Sequence, residues 1–330
     1  ERLTWDSVPR LDTLFIDYLG AKDTAYNRAV CRKSFTAAVT RAMIPGYKYD
    51  NMVILAGPQG IGKSTLLDKM SRGWFNDSIR TFEGKDASEL LQGVWLVEVS
   101  ELDAFRKTDV ARIKQFLSLR ADRYRAAYGR HVSELPRQCV FFGSTNTTDF
   151  LQDTTGNRRF WPVDVGEQPH AKTVWRDLTD DVIDQLWAEA KARWQAGESL
   201  YLSGDVEQEA KIKQEEHREV SAREGLIAAF VEKQVPVDWA KWPIDRRRDY
   251  WCGATRTPDG QELELVDRDR IAAVEVWCEL FNGNVREMKP ADTREINAIL
   301  ARLDGWKRNN NPLRFGPYGQ QRGFARVRRR

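Results

Sequence analysis

The residues Gly57-Pro58-Gln59-Gly60-Ile61-Gly62-Lys63-Ser64-Thr65 fit the spacing G-x-x-x-x-G-K-[ST] of a phosphate-binding loop. The chemistry explains the residue types. Glycines let backbone N–H groups close around an anion, a lysine reaches the β- and γ-phosphates of a nucleoside triphosphate, and a serine hydroxyl holds Mg²⁺. Lys63 and Ser64 stand where the lysine and serine are needed. The flanks supply the elements that would position the loop. Met52-Val53-Ile54-Leu55-Ala56 is a short apolar run that reads as a buried strand. Thr65-Leu66-Leu67-Asp68-Lys69-Met70 reads as a helix, so the phosphates would meet a helix N-terminus. ATP and Mg²⁺ are the cofactors this pattern leads us to expect.

Such a loop serves kinases, GTPases, ATPases and motors alike, so the downstream residues must narrow the choice. The apolar run Val94-Trp95-Leu96-Val97-Glu98-Val99 reads as a second strand ending in an acid, with Glu101 close behind. An acid there can hold Mg²⁺ through water, and a nearby glutamate can polarise the attacking water. We assign Glu98 to the metal and Glu101 to the water, although the residues alone allow the reverse. A third apolar run, Gln138 to Gly143, leads into Ser144-Thr145-Asn146, whose amide could bond the γ-phosphate or its water. The same residues also suit a turn. Next comes Gly156-Asn157-Arg158-Arg159-Phe160-Trp161-Pro162. Arg158 or Arg159 could act as an arginine finger, since guanidinium spreads charge over transition-state oxygens and stays protonated. Either could instead pair with a core carboxylate.

Between the acidic and polar-tipped strands lies a cluster containing Lys114, Phe116, Asp122, Tyr124, Arg125, Tyr128, Arg130 and His131. Cations that track phosphates and rings that stack on bases are what a single-strand DNA channel requires, although packing also accounts for such a cluster. Charge is uneven elsewhere too. The net charge is only +3, yet Trp306 to Arg330 holds Arg322, Arg326 and six other cations with no acid. A basic end of this kind suggests a polyanion partner, or simply a solvated terminus.

Composition sets outer limits. The 330 residues are 41% hydrophobic and 31% charged, ordinary for a soluble chain of two or more domains. No apolar run approaches the roughly 20 residues that span a bilayer, and no signal peptide is visible, so no membrane role is expected. Four scattered cysteines and three histidines suggest neither a zinc site nor a disulfide framework, which fits a reducing cytosol. The chain opens at Glu1, which reads as a piece of something longer. Residues 1–47 read as mostly helical and 48–204 as an alternating strand–helix core carrying the phosphate loop. Residues 205–262 read as a helical connector, and 263–330 as a basic winged-helix-like DNA-binding domain.

The order of these motifs resembles the virulence-associated protein E family, phage- and prophage-borne ATPases related to superfamily 3 helicases. The likeness runs through Trp5-Asp6-Ser7-Val8-Pro9-Arg10-Leu11-Asp12, the glycine loop, Val97-Glu98-Val99-Ser100-Glu101-Leu102, Asp122-Arg123-Tyr124-Arg125 and Tyr128-Gly129-Arg130. It continues through Ser144-Thr145-Asn146 and Gly156 to Pro162. It is dense from about residue 5 to 165 and looser beyond. The resemblance implies an α/β P-loop NTPase core of AAA+ type in a homo-hexameric replicative helicase. It also implies that residues 1–47 form a helical collar for oligomerisation, and that a primase domain or protein lies N-terminal to this chain. Glu98 departs from the aspartate more usual at its position.

Three function classes follow. An ATP-driven DNA helicase accounts for the ordered motifs and the basic end. A replication initiator, in which ATP drives assembly on origin duplex DNA, is the alternative. A small-molecule kinase would leave the arginine pair and basic end unused.

Overall fold

The computed structural model describes residues 2–100, 107–125, 131–151, 157–170, 172–218, 222–253 and 262–327. The chain divides into two compact units, Glu1–Glu219 and Val220–Arg330.

The first unit is built on a sheet of five parallel strands: β1 (Met52–Ala56), β2 (Phe75–Asn76), β3 (Leu96–Val99), β6 (Val140–Thr145) and β7 (Phe160–Asp164). Their order is β2-β3-β6-β1-β7, which makes it an α/β fold. Helices cover both faces, so the central strands need no polar side and every residue of β1 is buried. Alternation sends Val53 and Leu55 to one face, and Met52, Ile54 and Ala56 to the other.

The first face packs on α1 (Leu14–Leu19), α2 (Ala25–Met43), α3 (Lys63–Ser71) and α6 (Asp180–Gln195). The rings of Phe35, Phe142 and Trp187 meet here, with Trp95 stacked on Trp187 at 4.0 Å. Both indoles find acceptors, the partly buried Trp95 donating to Ala38 O and the buried Trp187 to Met70 O, each at 2.9 Å. The expected N-terminal collar therefore forms one wall of the core. On the second face lie Ile113 and Phe116 of α5 (Lys107–Leu117) and Ala87 of α4 (Gly84–Glu89).

A hairpin of β4 (Ala121–Tyr124) and β5 (Ser133–Pro136) leaves the sheet between α5 and β6. Its base is fixed by a buried bidentate pair, Arg137 to Asp122, with both bonds 2.7 Å. The Arg137 guanidinium also lies over Phe116 at 4.1 Å. The charged segment after residue 204, expected as the start of a helical connector, is helical, and α7 (Gly204–Glu216) packs on β7 within the first unit. There Gln214 donates to Phe160 O at 2.8 Å and Lys213 pairs with Asp164 at 3.1 Å.

The second unit opens with α8 (Ala222–Glu232), β8 (Val235–Pro236) and α9 (Ile244–Trp251), followed by β9 (Leu265–Val266) and β10 (Arg270–Ile271). Then come α10 (Ala273–Glu275), continued as a π-helical turn through Leu280, and α11 (Pro290–Leu300). The strands β11 (Trp306–Arg308), β12 (Leu313–Arg314), β13 (Gln320–Gln321) and β14 (Phe324–Arg326) end it. An antiparallel sheet β10-β14-β11 closes on a core of Ile227, Phe230, Ile271, Ile296, Trp306 and Phe324. Beside it is a fully buried ionic group, in which Arg247 contacts Glu279 at 2.8 Å and Glu275 at 3.2 Å. Among the described residues no helix is long and apolar enough to cross a membrane.

Candidate functional site

Parallel register brings the C-terminal ends of β1, β6 and β3 side by side. Ala56 pairs with Thr145, and Val99 with Gly143. The glycine loop leaves β1 at this edge, and Gly57 N–H donates to Thr145 O at 3.1 Å. A Cβ at Gly57 would stand 2.3 Å from Val165 O, so no other residue fits. Gly62, at φ 101°, caps α3 in a conformation that L side chains avoid. The helix then starts at Lys63 with its free N–H groups facing the loop.

Lys63 is buried, and its ammonium turns back into the loop. It donates to Gly57 O at 2.5 Å, Pro58 O at 2.9 Å and Asn146 Oδ1 at 3.1 Å. Burial lowers its pKa, with Glu98 opposing that shift. Asn146 thus joins the loop from the tip of β6, two strands nearer than chain order suggests. Glu98 on β3 completes the group. Its Oε1 accepts from Ser64 at 2.8 Å and Ser144 at 2.5 Å, while Oε2 is buried without a hydrogen-bond partner. Burial pushes the Glu98 carboxyl up, and the two hydroxyls pull it partly back. A buried carboxylate oxygen left open beside a serine hydroxyl suits a hard cation. No cluster of three or more His, Cys, Asp or Glu ligands occurs among the described residues, so such a cation would take its other oxygens from substrate and water.

The arginine pair lies elsewhere. Phe160 starts β7 opposite Met52, whereas the glycine loop follows Ala56. Arg158 and Arg159 therefore sit at the other edge of the sheet, with the whole of β1, about 13 Å long, between them and their own chain's loop. Arg159 is tied to Asp50 at 3.3 Å and to Ser118 Oγ at 3.1 Å. Arg158 is exposed, and its carbonyl accepts from Asn51 at 3.0 Å.

The expected DNA contacts divide as well. Lys114 is buried against Asn157 at 3.0 Å and the Phe160 ring, so it offers no surface charge. Tyr124 is half-buried on β4, while Arg125 and His131 are exposed beyond it. Glu101, Tyr128 and Arg130 lie outside the described residues. Arg322 is exposed, but Arg326 pairs with Glu232 at 2.7 Å. Ser144 was not expected to hold Glu98, and nothing in local sequence marks a serine inside a buried strand as its partner.

A family model described as the virulence-associated protein E-like domain matches residues 1–219. The chain belongs to this family. The VapE-like match ends where the first compact unit ends, at Glu219. No curated protein matches the chain. Among solved structures, the apo C-terminal region of NrS-1 (305–718) is similar at 14% identity and TM-score 0.47, covering 99% of this chain and 77% of that one. An A-form apo structure of the same region gives 12% identity and TM-score 0.48 with the same coverage.

Proposed function

We propose that this VapE-like chain is an ATP-dependent DNA helicase of a phage or mobile-element replication system, working as a homo-oligomeric ring. One observation carries the reading. Two hydrogen-bonded sets, Lys63 with Asn146 and Glu98 with Ser64 and Ser144, lie side by side at the mouth of the glycine loop, drawn from β3, β6 with its tip, and the start of α3. The loop N–H groups and Lys63 hold the triphosphate, and Asn146 then exchanges Lys63 for the γ-phosphate or its water. Ser64 and Glu98 would hold Mg²⁺, which would supply charge neutralisation to the phosphates when bound. Glu101 is kept as the candidate base.

The distance of Arg158 from its own loop supports a finger supplied by the neighbouring subunit. Arg158 is preferred because Arg159 already has a carboxylate partner. The hairpin β4–β5, with Tyr124, Arg125 and His131 toward its tip, is suited to single-stranded DNA. We place this activity in a bacterial host cytoplasm, with a primase as the partner preceding this chain. DNA-stimulated hydrolysis and strand separation, both abolished in Lys63→Ala, are the expected results. Hydrolysis surviving in Lys63→Ala, or an assembled ring that separates no strands, overturns the reading.

A second reading has its own support. In the second unit α10, α11 and the antiparallel sheet β10-β14-β11, with β14 between the other two strands, support a winged-helix reading. An initiator would use α11 and the β11–β14 loop on duplex DNA. A footprint on one short duplex that survives Lys63→Ala and vanishes on deleting 265–330 would favour it.

A further inference from the structure

The cavity of about 260 Å³ at the glycine loop has one wall that belongs to no motif. Trp175, far along the chain, is the aromatic side chain that lines it among the described residues. Its indole is 58% exposed, which is unusual for the largest apolar side chain. Yet the backbone beneath it is pinned. Lys69 of α3 donates to Val174 O at 2.8 Å and Leu178 O at 3.2 Å, and Asp177 accepts from Thr173 N–H at 2.7 Å. The ring also abuts the helix start: a Cβ at Gly62 would lie 3.4 Å from the Trp175 ring and 3.1 Å from Val174. A rigidly held indole open to a cavity is preorganised for a flat partner.

The other wall determines which end of a nucleotide comes here. Lys63, Asn146 and Glu98 gather where the terminal phosphates and cation belong, so the nucleoside leaves the cavity away from them. We propose that Trp175 is the base platform of this site, stacking on the nucleobase of the bound triphosphate. This rests on reading the glycine loop as a triphosphate site. Stacking offers every base a π-face, so the platform adds affinity with little choice among bases.

Titrating the full 330-residue chain with ATP and with inorganic tripolyphosphate, each with Mg²⁺, separates the two ideas. Trp175→Ala should weaken ATP about tenfold and leave tripolyphosphate unchanged, and Trp175→Phe should restore ATP to within about threefold. ATP binding unchanged in Trp175→Ala overturns the platform. So does an equal loss for both ligands, which would mean the indole only props the loop. If the unaltered chain binds neither ligand and Lys63→Ala changes nothing, the triphosphate reading falls and the platform with it.

Discussion

Glu98 shows how the properties of one residue depend on its neighbours. Burial raises its pKa from the ordinary 4.5, while hydrogen bonds from Ser144 and Ser64 to the ionised form lower it. The protonated acid cannot hold a cation, so the acid limb of kcat/KM, which reports the free chain, should lie above pH 4.5. Ser144→Ala removes one stabilising bond and should move that limb to higher pH, which a pH–rate profile would reveal. An unmoved limb would separate Glu98 from the chemistry. Linkage runs the same way: the fold holds this proton more tightly than the unfolded chain does, so this group's stability contribution grows as pH falls toward 4.5. For the finger, Arg158→Ala should cut turnover about a thousandfold while nucleotide binding survives. Mixing it with Lys63→Ala subunits should recover activity, and no recovery from intact assemblies would count against a finger in trans. The glycine loop was legible because its chemistry needs consecutive residues. Ser144 and Trp175 were not, because each reaches the site only once the chain has folded.

At the scale of elements, burial separates what could be read from what could not. Strands β1, β3 and β6 announced themselves as apolar runs, although β6 continues two residues farther than its apolar part, through Ser144 and Thr145. The charged α7 gave no such signal, since it docks through few buried positions, Ala210 and Gln214 among them. His217 follows it and stitches it to the segment after β6, bonding Thr148 O at 2.7 Å and Asp164 at 2.9 Å. Burial lowers the His217 pKa, but the Asp164 contacts outweigh that and leave it raised above 6.5. Its stabilisation is therefore full below pH 6.5 and lost as pH rises through the raised value. His217→Gln should flatten the pH dependence of unfolding of the first unit across that window, as chemical denaturation would show. In the second unit, Arg247→Met leaves the buried Glu275 and Glu279 with only Arg268, 4.0 Å from Glu279, as their cation. It should cost about 3–5 kcal/mol in the same assay.

For the molecule as a whole, charge is read more easily than boundaries. The basic surface of the second unit, with Lys307, Arg308, Arg314 and Arg322 exposed, was visible in the sequence. Phosphate contacts there predict DNA affinity that falls steeply between about 50 and 200 mM salt, and an affinity insensitive to salt would dismiss that role. The division at Glu219 was not visible, because the charged residues before it pack on β7 as side chains that only the fold brings near. The opposite placement of Arg158 and the glycine loop on one sheet has a consequence for regulation. If Arg158 is the finger proposed above, a lone chain carries two halves of a catalytic centre that cannot meet, so turnover per chain should collapse on dilution and rise with crowding on DNA. Fuel would then be spent only where enough copies have gathered, a quorum written into the length of a strand.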